Sequence, residues 1–172
     1  MLERKDLRAI FEIIKPNSKV LDLGCGDGLL LKELVLKKKI NGLGIEISIE
    51  RIKSCLNSGI SVIQEDLNES LKEFKDNTFD FIVLSQTLEY VADPVYLIQE
   101  MLRVGKKVVI SFENLAYWKN RVTFLLNGAT KISGILLFQK STRFSCLISS
   151  IVFGYNGAVS IKSFSSCVIL GL

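Results

Sequence analysis

The sequence predicts an α/β protein, a three-layer sandwich around a doubly wound, mainly parallel sheet, and three observations carry that expectation. Apolar strand-length runs alternate with helical stretches of about ten residues, the pattern of βαβ crossovers. The strand runs are continuously apolar, as in sheets covered on both faces. A glycine-rich turn, V-L-D-L-G-C-G-D-G at Val20–Gly28, completes the first strand, and ligands of open α/β sheets sit outside the strand carboxyl ends at the topological switch.

Each element follows from local spacing. Leu7, Ile10, Phe11, Ile13 and Ile14 recur at helical intervals, and Pro16-Asn17 closes that helix. Lys19 to Leu23 is a short apolar strand. Beyond the glycines, Leu29 to Lys38 reads as a helix that Asn41-Gly42 ends. Leu43 to Ile47 is the second strand, followed by a helix over S-I-E-R-I-K-S-C-L and a turn at Asn57 and Gly59. Ile60 to Ile63 and Asp80 to Leu84 are the third and fourth strands. A helix from Val95 to Arg103 follows Asp93-Pro94, and Lys107 to Phe112 is the fifth strand.

Composition narrows the function classes. A chain of 172 residues, 48% hydrophobic, suits one domain with a buried core. The net charge of +4 conceals an asymmetry: all 18 acids lie at or before Glu113 beside 16 of the 22 basic residues, so the later residues hold basic groups and no acid. No Lys/Arg run is interleaved with aromatics, which speaks against nucleic acid. The chain has no His, and Cys25, Cys55, Cys146 and Cys167 are scattered. Zinc-finger ligands and Cys/His catalysis are therefore not expected, and no metal site is. Scattered thiols and a charged N-terminal helix start point to a cytoplasmic protein without a secretory signal.

The chemistry concentrates in the glycine turn. Glycines there let the backbone approach a ligand closely and adopt positive φ. The spacing is D-x-G-x-G-x-G at Asp22, Gly24, Gly26 and Gly28. The dinucleotide fingerprint requires Gly or Ala where Leu29 stands, and no Gly-Lys-Ser/Thr follows for a P-loop. Asp22 also repels a pyrophosphate and attracts an α-ammonium group. Glu46 ends the second strand about twenty residues later, where an acid accepts from ribose hydroxyls. Asp66 follows the third strand in V-I-Q-E-D-L, placed to accept from an adenine amine beside the apolar wall of Leu67. Each has a plain structural alternative: a bare turn, a solvated Glu, a loop acid. Three acids at three successive strand ends describe a pocket for a cationic adenosyl amino acid. Cys25 reads as a small filler between glycines.

These motifs, with F-D-F-I-V-L-S-Q-T-L-E-Y-V, resemble the class I S-adenosylmethionine-dependent methyltransferase fold, a Rossmann-like architecture. More narrowly, S-Q-T-L-E at Ser85–Glu89, E-M-L-R-V-G-K-K at Glu100–Lys107 and S-F-E-N-L-A-Y-W at Ser111–Trp118 are similar to the bacterial methionine biosynthesis protein MetW family. The resemblance runs from about Leu7 to Lys131. It implies S-adenosylmethionine as cofactor and a tie to homoserine acylation, with homoserine O-acyltransferase as partner. It supplies no methyl acceptor. Carried over residue by residue, Asp22, Gly24, Gly26 and Gly28 match the glycine loop, Glu46 and Ile47 the ribose-side segment, Asp66 and Leu67 the adenine side, and Ser85 and Gln86 the segment beside the methyl group.

Two uses of such a site stay open, a small-molecule methyltransferase and a non-catalytic regulator of the acyltransferase. An NAD-dependent reductase is weakened by Leu29 and by the missing Tyr-x-x-x-Lys pair. Base methylation of nucleic acid is disfavoured, because the Asn/Asp-Pro-Pro-Tyr arrangement is absent. No general base stands out. Glu89 and Tyr90 are nearest to the reaction side, but read as a helix-start acid and a packed ring.

The division expected is a cofactor-binding domain over 1–132 and a divergent tail over 133–172. Phe144 to Ile161 carries no charge over 18 residues, which raises a membrane span. Its serines and Tyr155-Asn156-Gly157 favour a β-hairpin instead, and no membrane contact is expected. The loss of acids also allows a shifted reading frame from about Ser133.

Overall fold

The computed structural model describes residues 2–69 and 71–113 and the backbone of two further strands, Ser133–Gln139 and Cys167–Gly171. Among these residues the helices are α1 (Lys5–Ile13), α2 (Leu29–Lys38), α3 (Ile49–Asn57) and α4 (Pro94–Val104). The strands are β1 (Lys19–Leu23), β2 (Asn41–Glu46), β3 (Val62–Gln64), β4 (Phe79–Ser85), β5 (Gly105–Glu113), β6 (Ser133–Gln139) and β7 (Cys167–Gly171). They form one sheet in the order β3-β2-β1-β4-β5-β6-β7. Pairing is parallel from β3 through β5, whereas β6 runs antiparallel to β5 and β7 antiparallel to β6. The chain builds outward from β1 to β3 and then restarts at β4 on the other side of β1. The switch point is therefore between the carboxyl ends of β1 and β4.

Alternation along the strands sends apolar side chains to two covered faces. Val20, Phe81, Val83 and Val109 pack with Ile10 and Ile14 of the first helical segment, Leu30, Leu31 and Leu34 of α2, and Cys55 of α3. Leu21, Leu23, Ile82, Leu84, Val108 and Ile110 pack on the opposite face with Leu97, Met101 and Val104 of α4 and with Leu71. These two cores make the three layers.

Helix ends are held by identifiable partners. Asp93 accepts from the Tyr96 N–H at 2.9 Å and Pro94 opens α4, so that helix starts one residue earlier than its apolar spacing predicts. The Lys38 ammonium donates to the carbonyls of Phe11 and, at 2.7 Å, Ile14, neutralising the open carbonyl end of α1. The third strand differs from its expected Ile60–Ile63 span. The Ile60 N–H donates to the Cys55 carbonyl at 3.0 Å and so belongs to the turn that ends α3, which leaves Val62–Gln64 to pair with β2. The second strand begins earlier than expected, because the Asn41 N–H reaches the Ser18 carbonyl at 2.9 Å. The expected hairpin over Phe144–Ile161 lies outside the described residues. No helix among the described residues is long and apolar enough to cross a membrane.

Candidate functional site

The glycine turn leaves β1 at the switch point and is pinned at once to β2. The N–H groups of Gly24 and Cys25 both donate to the Ile45 carbonyl, at 2.8 and 3.0 Å. Gly24 holds φ +68°, and a Cβ there would lie 2.9 Å from the Thr87 side chain, so the loop after β4 presses directly on the turn. Gly26 holds φ +58°, with nothing within 4 Å of where a Cβ would stand. Its bare side is the open side of the turn. Gly28 then starts α2.

Glu46 clamps this turn from below. Its carboxylate is 5% exposed. Oε2 accepts the Gly26 N–H at 2.9 Å, and Oε1 accepts the N–H groups of Ile47 at 3.0 Å and Ser48 at 2.9 Å, at the start of α3. Arg51 Nη1 lies 3.9 Å from Oε2. A carboxylate offers about four lone-pair positions, so holding the turn and the two N–H groups ahead of α3 leaves about one for anything that enters from the open side. Ile47, next in the chain, is exposed.

Asp22, at the end of β1, is 3% exposed, and its Oδ1 is buried without a hydrogen-bond partner. Burial pushes its carboxyl up to about 7; the Arg4 guanidinium opposes that rise and the Glu46 carboxylate adds to it. An orphaned buried oxygen on a group poised between neutral and ionised is an acceptor awaiting a donor or a cation.

The cation that the sequence reading missed is Arg4. Its Nε and Nη2 donate to the two oxygens of Asp6, at 3.1 and 2.5 Å, and Nη2 also donates to Ser85 Oγ at 2.7 Å. Asp6, 1% exposed, further accepts from the hydroxyls of Ser85 and Ser111, each at 3.1 Å. Burial alone would raise the Asp6 carboxyl, but Arg4 and the two serines bring it below its ordinary value. The start of α1 is thus strapped across the carboxyl ends of β4 and β5. Nothing local announces this, since the partners are 79 and 105 residues away in sequence.

Beside Ser85, Gln86 adopts φ +52° and donates its N–H to the Ser111 carbonyl at 2.9 Å. Such left-handed geometry at a non-glycine residue concentrates at functional sites. Thr87 Oγ1 donates to the Ser85 carbonyl at 2.9 Å, which folds the chain back over Gly24. Asp66, beyond β3, is exposed, and its Oδ1 accepts from the N–H and Nδ2 of Asn68 at 2.9 and 2.7 Å. Asn68 in turn accepts the Ala92 N–H at 3.1 Å, joining this loop to the one before α4. Leu67 is half-buried against the core. The expected packed ring at Tyr90 is corrected: Leu88–Tyr90 is a 3-10 turn whose i, i+3 face, Leu88 and Val91, packs against the core, which leaves Tyr90 off that face and 78% exposed. Glu89 is exposed beside it. Among the described residues no group of three or more His, Cys, Asp or Glu side chains is placed to hold a metal ion.

The structure therefore brings Asp22, Gly24, Gly26, Glu46, Ser85 and Gln86 to one end of the sheet, around the β1/β4 switch, with Asp66 and Leu67 at the end of β3. Comparison with solved structures shows the same fold. A SAM-dependent methyltransferase of Thermotoga maritima, described as a possible histamine N-methyltransferase, superposes with a TM-score of 0.58 at 21% identity, over 72% of this chain and 57% of that one. A TehB-like SAM-dependent methyltransferase of Corynebacterium glutamicum gives 0.55 at 22% identity, over 63% and 61%. Among curated relatives, the bifunctional methionine biosynthesis protein MetXA/MetW of Rhodopirellula baltica is 40% identical over 131 residues, 72% of this chain but 21% of that protein. A ubiquinone biosynthesis O-methyltransferase of Hahella chejuensis is 34% identical over 53% of this chain and 40% of its own length. This chain thus spans well under half of those two relatives. The family described as methionine biosynthesis protein MetW matches residues 4–143. With that match over most of the chain, on a methyltransferase fold built around its glycine turn, the chain belongs to the methionine biosynthesis protein MetW family.

Proposed function

We propose that this protein binds S-adenosylmethionine at the β1/β4 switch and serves methionine biosynthesis through that site. The observation that carries the reading is the orphaned Oδ1 of Asp22, buried beside a turn whose centre, Gly26, is bare and open. A pyrophosphate would meet a buried carboxyl there, whereas an α-ammonium group supplies both the missing donor and the missing charge. In this reading Asp22 holds the ammonium, and Arg4, whose hydrogen bonds among the described residues run through Nε and Nη2, takes the carboxylate of the same amino-acid end. Glu46 accepts from the ribose, Ile47 and Leu67 flank the adenine, and Asp66 accepts from its amine. Ser85 and Gln86 border the sulfur side.

When bound, S-adenosylmethionine supplies an electrophilic methyl group on a sulfonium. The protein's own contribution is orientation: the strap from Arg4 and Asp6 to Ser85 fixes the amino-acid end relative to the strand from which an acceptor would approach. Calorimetry with S-adenosylmethionine, S-adenosylhomocysteine and NAD tests the reading. Heat with the sulfur nucleosides and none with NAD is expected; no heat with either sulfur nucleoside would overturn it.

A second reading, a partner that regulates homoserine O-acyltransferase, is favoured by the Rhodopirellula relative, whose name joins MetXA and MetW in one bifunctional chain. Co-purification with the acyltransferase, with and without the nucleoside, separates it from a methyltransferase. Coupling between nucleoside and partner must be reciprocal.

A further inference from the structure

We propose that Cys25 and Cys55 are a reversible disulfide site whose oxidation dismantles the glycine turn. Their sulfurs lie 4.0 Å apart, although 30 residues separate them in sequence. Both point at one acceptor, the Gly26 carbonyl, at 3.8 Å from Cys25 Sγ and 3.2 Å from Cys55 Sγ. Each sulfur also occupies space that a glycine leaves empty. A Cβ on Gly44 would lie 2.5 Å from Cys25 Sγ, and one on Gly28 would lie 2.9 Å from Cys55 Sγ.

The consequence of joining them follows from which one can move. A disulfide needs its sulfurs about 2.05 Å apart, so the pair must close by roughly half its present separation. Cys55 is fully buried in α3 and packed in a core cluster. Cys25 is half-buried, on a turn flanked by two positive-φ glycines. Closure therefore draws the turn toward α3. Gly26, whose carbonyl both thiols address, is displaced with the two peptide groups that flank it, and its own N–H leaves Glu46 Oε2.

The oxidant is a peroxide. The Cys25 thiolate attacks one peroxide oxygen, the O–O bond breaks, and a sulfenic acid forms while hydroxide leaves. Cys55 sulfur then attacks Cys25 sulfur, the S–S bond forms, the S–O bond breaks and a second hydroxide leaves. The two thiol protons convert both hydroxides to water, so the thiols lose two electrons and hydrogen peroxide becomes two waters. Burial raises both thiols above their ordinary range, with Asp22 and Cys55 adding to the rise at Cys25. The reduced pair is accordingly stable to brief exposure, and sustained peroxide is what converts it.

The effect on ligand rests on the S-adenosylmethionine reading; the cross-link does not. The full chain is incubated with hydrogen peroxide, capped, digested without reduction and analysed by mass spectrometry, with S-adenosylhomocysteine binding measured before, after, and after dithiothreitol. A Cys25–Cys55 linked peptide is expected, with affinity reduced about tenfold or more and restored by the reductant. Cys55→Ser keeps a hydroxyl donor toward the Gly26 carbonyl, so it should bind the nucleoside and lose the response to peroxide. Cys25 recovered unlinked, or linked to Cys146 or Cys167, overturns the site. A linked chain with unchanged affinity overturns the dismantling of the turn. A reduced chain that binds no nucleoside overturns the ligand reading, and the linked peptide still decides the site.

Discussion

The Gly26 N–H donates to Glu46 Oε2 across 2.9 Å, tying the open centre of the glycine turn to the acid that ends β2. One carboxylate thereby does two tasks, holding the turn through one oxygen and the Ile47–Ser48 segment that leads into α3 through the other. Glu46→Ala removes both and leaves three backbone donors without their acceptor. A loss of about 2 kcal/mol in all is expected, below the sum for three fully buried donors because these three are only part-buried and water can reach them. That corresponds to a melting temperature lower by roughly 4–8 °C for a chain of this size. Differential scanning calorimetry checks the stability and titration with S-adenosylhomocysteine the binding, which should be lost. Full-strength binding by a folded Glu46→Ala protein would remove Glu46 from the site.

Gly26 and Gly59 separate strain from occlusion. Both have positive φ, +58° and +74°, and neither has any atom within 4 Å of an added Cβ. Ala at either position should cost a similar 1–2 kcal/mol or so of backbone strain. Only at Gly26 does the new methyl face the open side of the turn. Gly26→Ala is expected to weaken S-adenosylhomocysteine by at least about tenfold while Gly59→Ala binds as the parent does. Equal affinities in the two variants would argue that the ligand does not approach Gly26.

The elements between Leu7 and Phe112 were legible because each depends on local spacing: Leu29–Lys38 is the observed α2 and Lys19–Leu23 the observed β1. Ile60 was misread because an apolar residue after a turn looks like a strand, whereas its N–H is spent on the Cys55 carbonyl. The gathering of Asp22, the glycines and Glu46 at one end of the sheet was legible, because each directly follows or ends a strand whose apolar run marks it in the sequence. The site was illegible at Arg4, whose place depends on a strap to Ser85 and on a buried Asp6 bonded to Ser111, contacts that no periodicity encodes. The proximity of Cys25 and Cys55 was hidden for the same reason.

Arg4 is predicted to recognise a carboxylate. Arg4→Ala should weaken S-adenosylhomocysteine by roughly 10- to 100-fold, the range for a charge-assisted hydrogen bond. It should leave 5′-methylthioadenosine, the same nucleoside without the amino-acid end, nearly unchanged. A general loosening of α1, which Arg4 and Asp6 hold to Ser85, would lower both affinities together. Competition titrations with the two nucleosides distinguish these results, and parallel losses would make Arg4 a structural residue.

Asp22 predicts an unusual pH dependence for stability and binding. Burial raises its carboxyl from 3.8 to about 7 in the folded chain. Because the folded state holds this proton more tightly than the unfolded one, its contribution favours folding below about pH 4 and is lost as pH rises toward 7. A rise of that size corresponds to about 4 kcal/mol at most. Asp22→Asn abolishes this titration, so the unliganded variant should gain stability over the parent between pH 4 and 7 and keep the gain above. Denaturant unfolding across pH 4–8 measures that difference. Ligand binding runs the other way. An α-ammonium group requires the ionised carboxyl, so nucleoside affinity in the parent should fall as pH drops below 7, by up to about tenfold per unit for one linked proton. Asp22→Asn should bind weakly with a flat profile. Calorimetry in buffers of different ionisation enthalpy should detect proton release near pH 7. A parent affinity that rises on acidification would mean that Asp22 does not meet a cation.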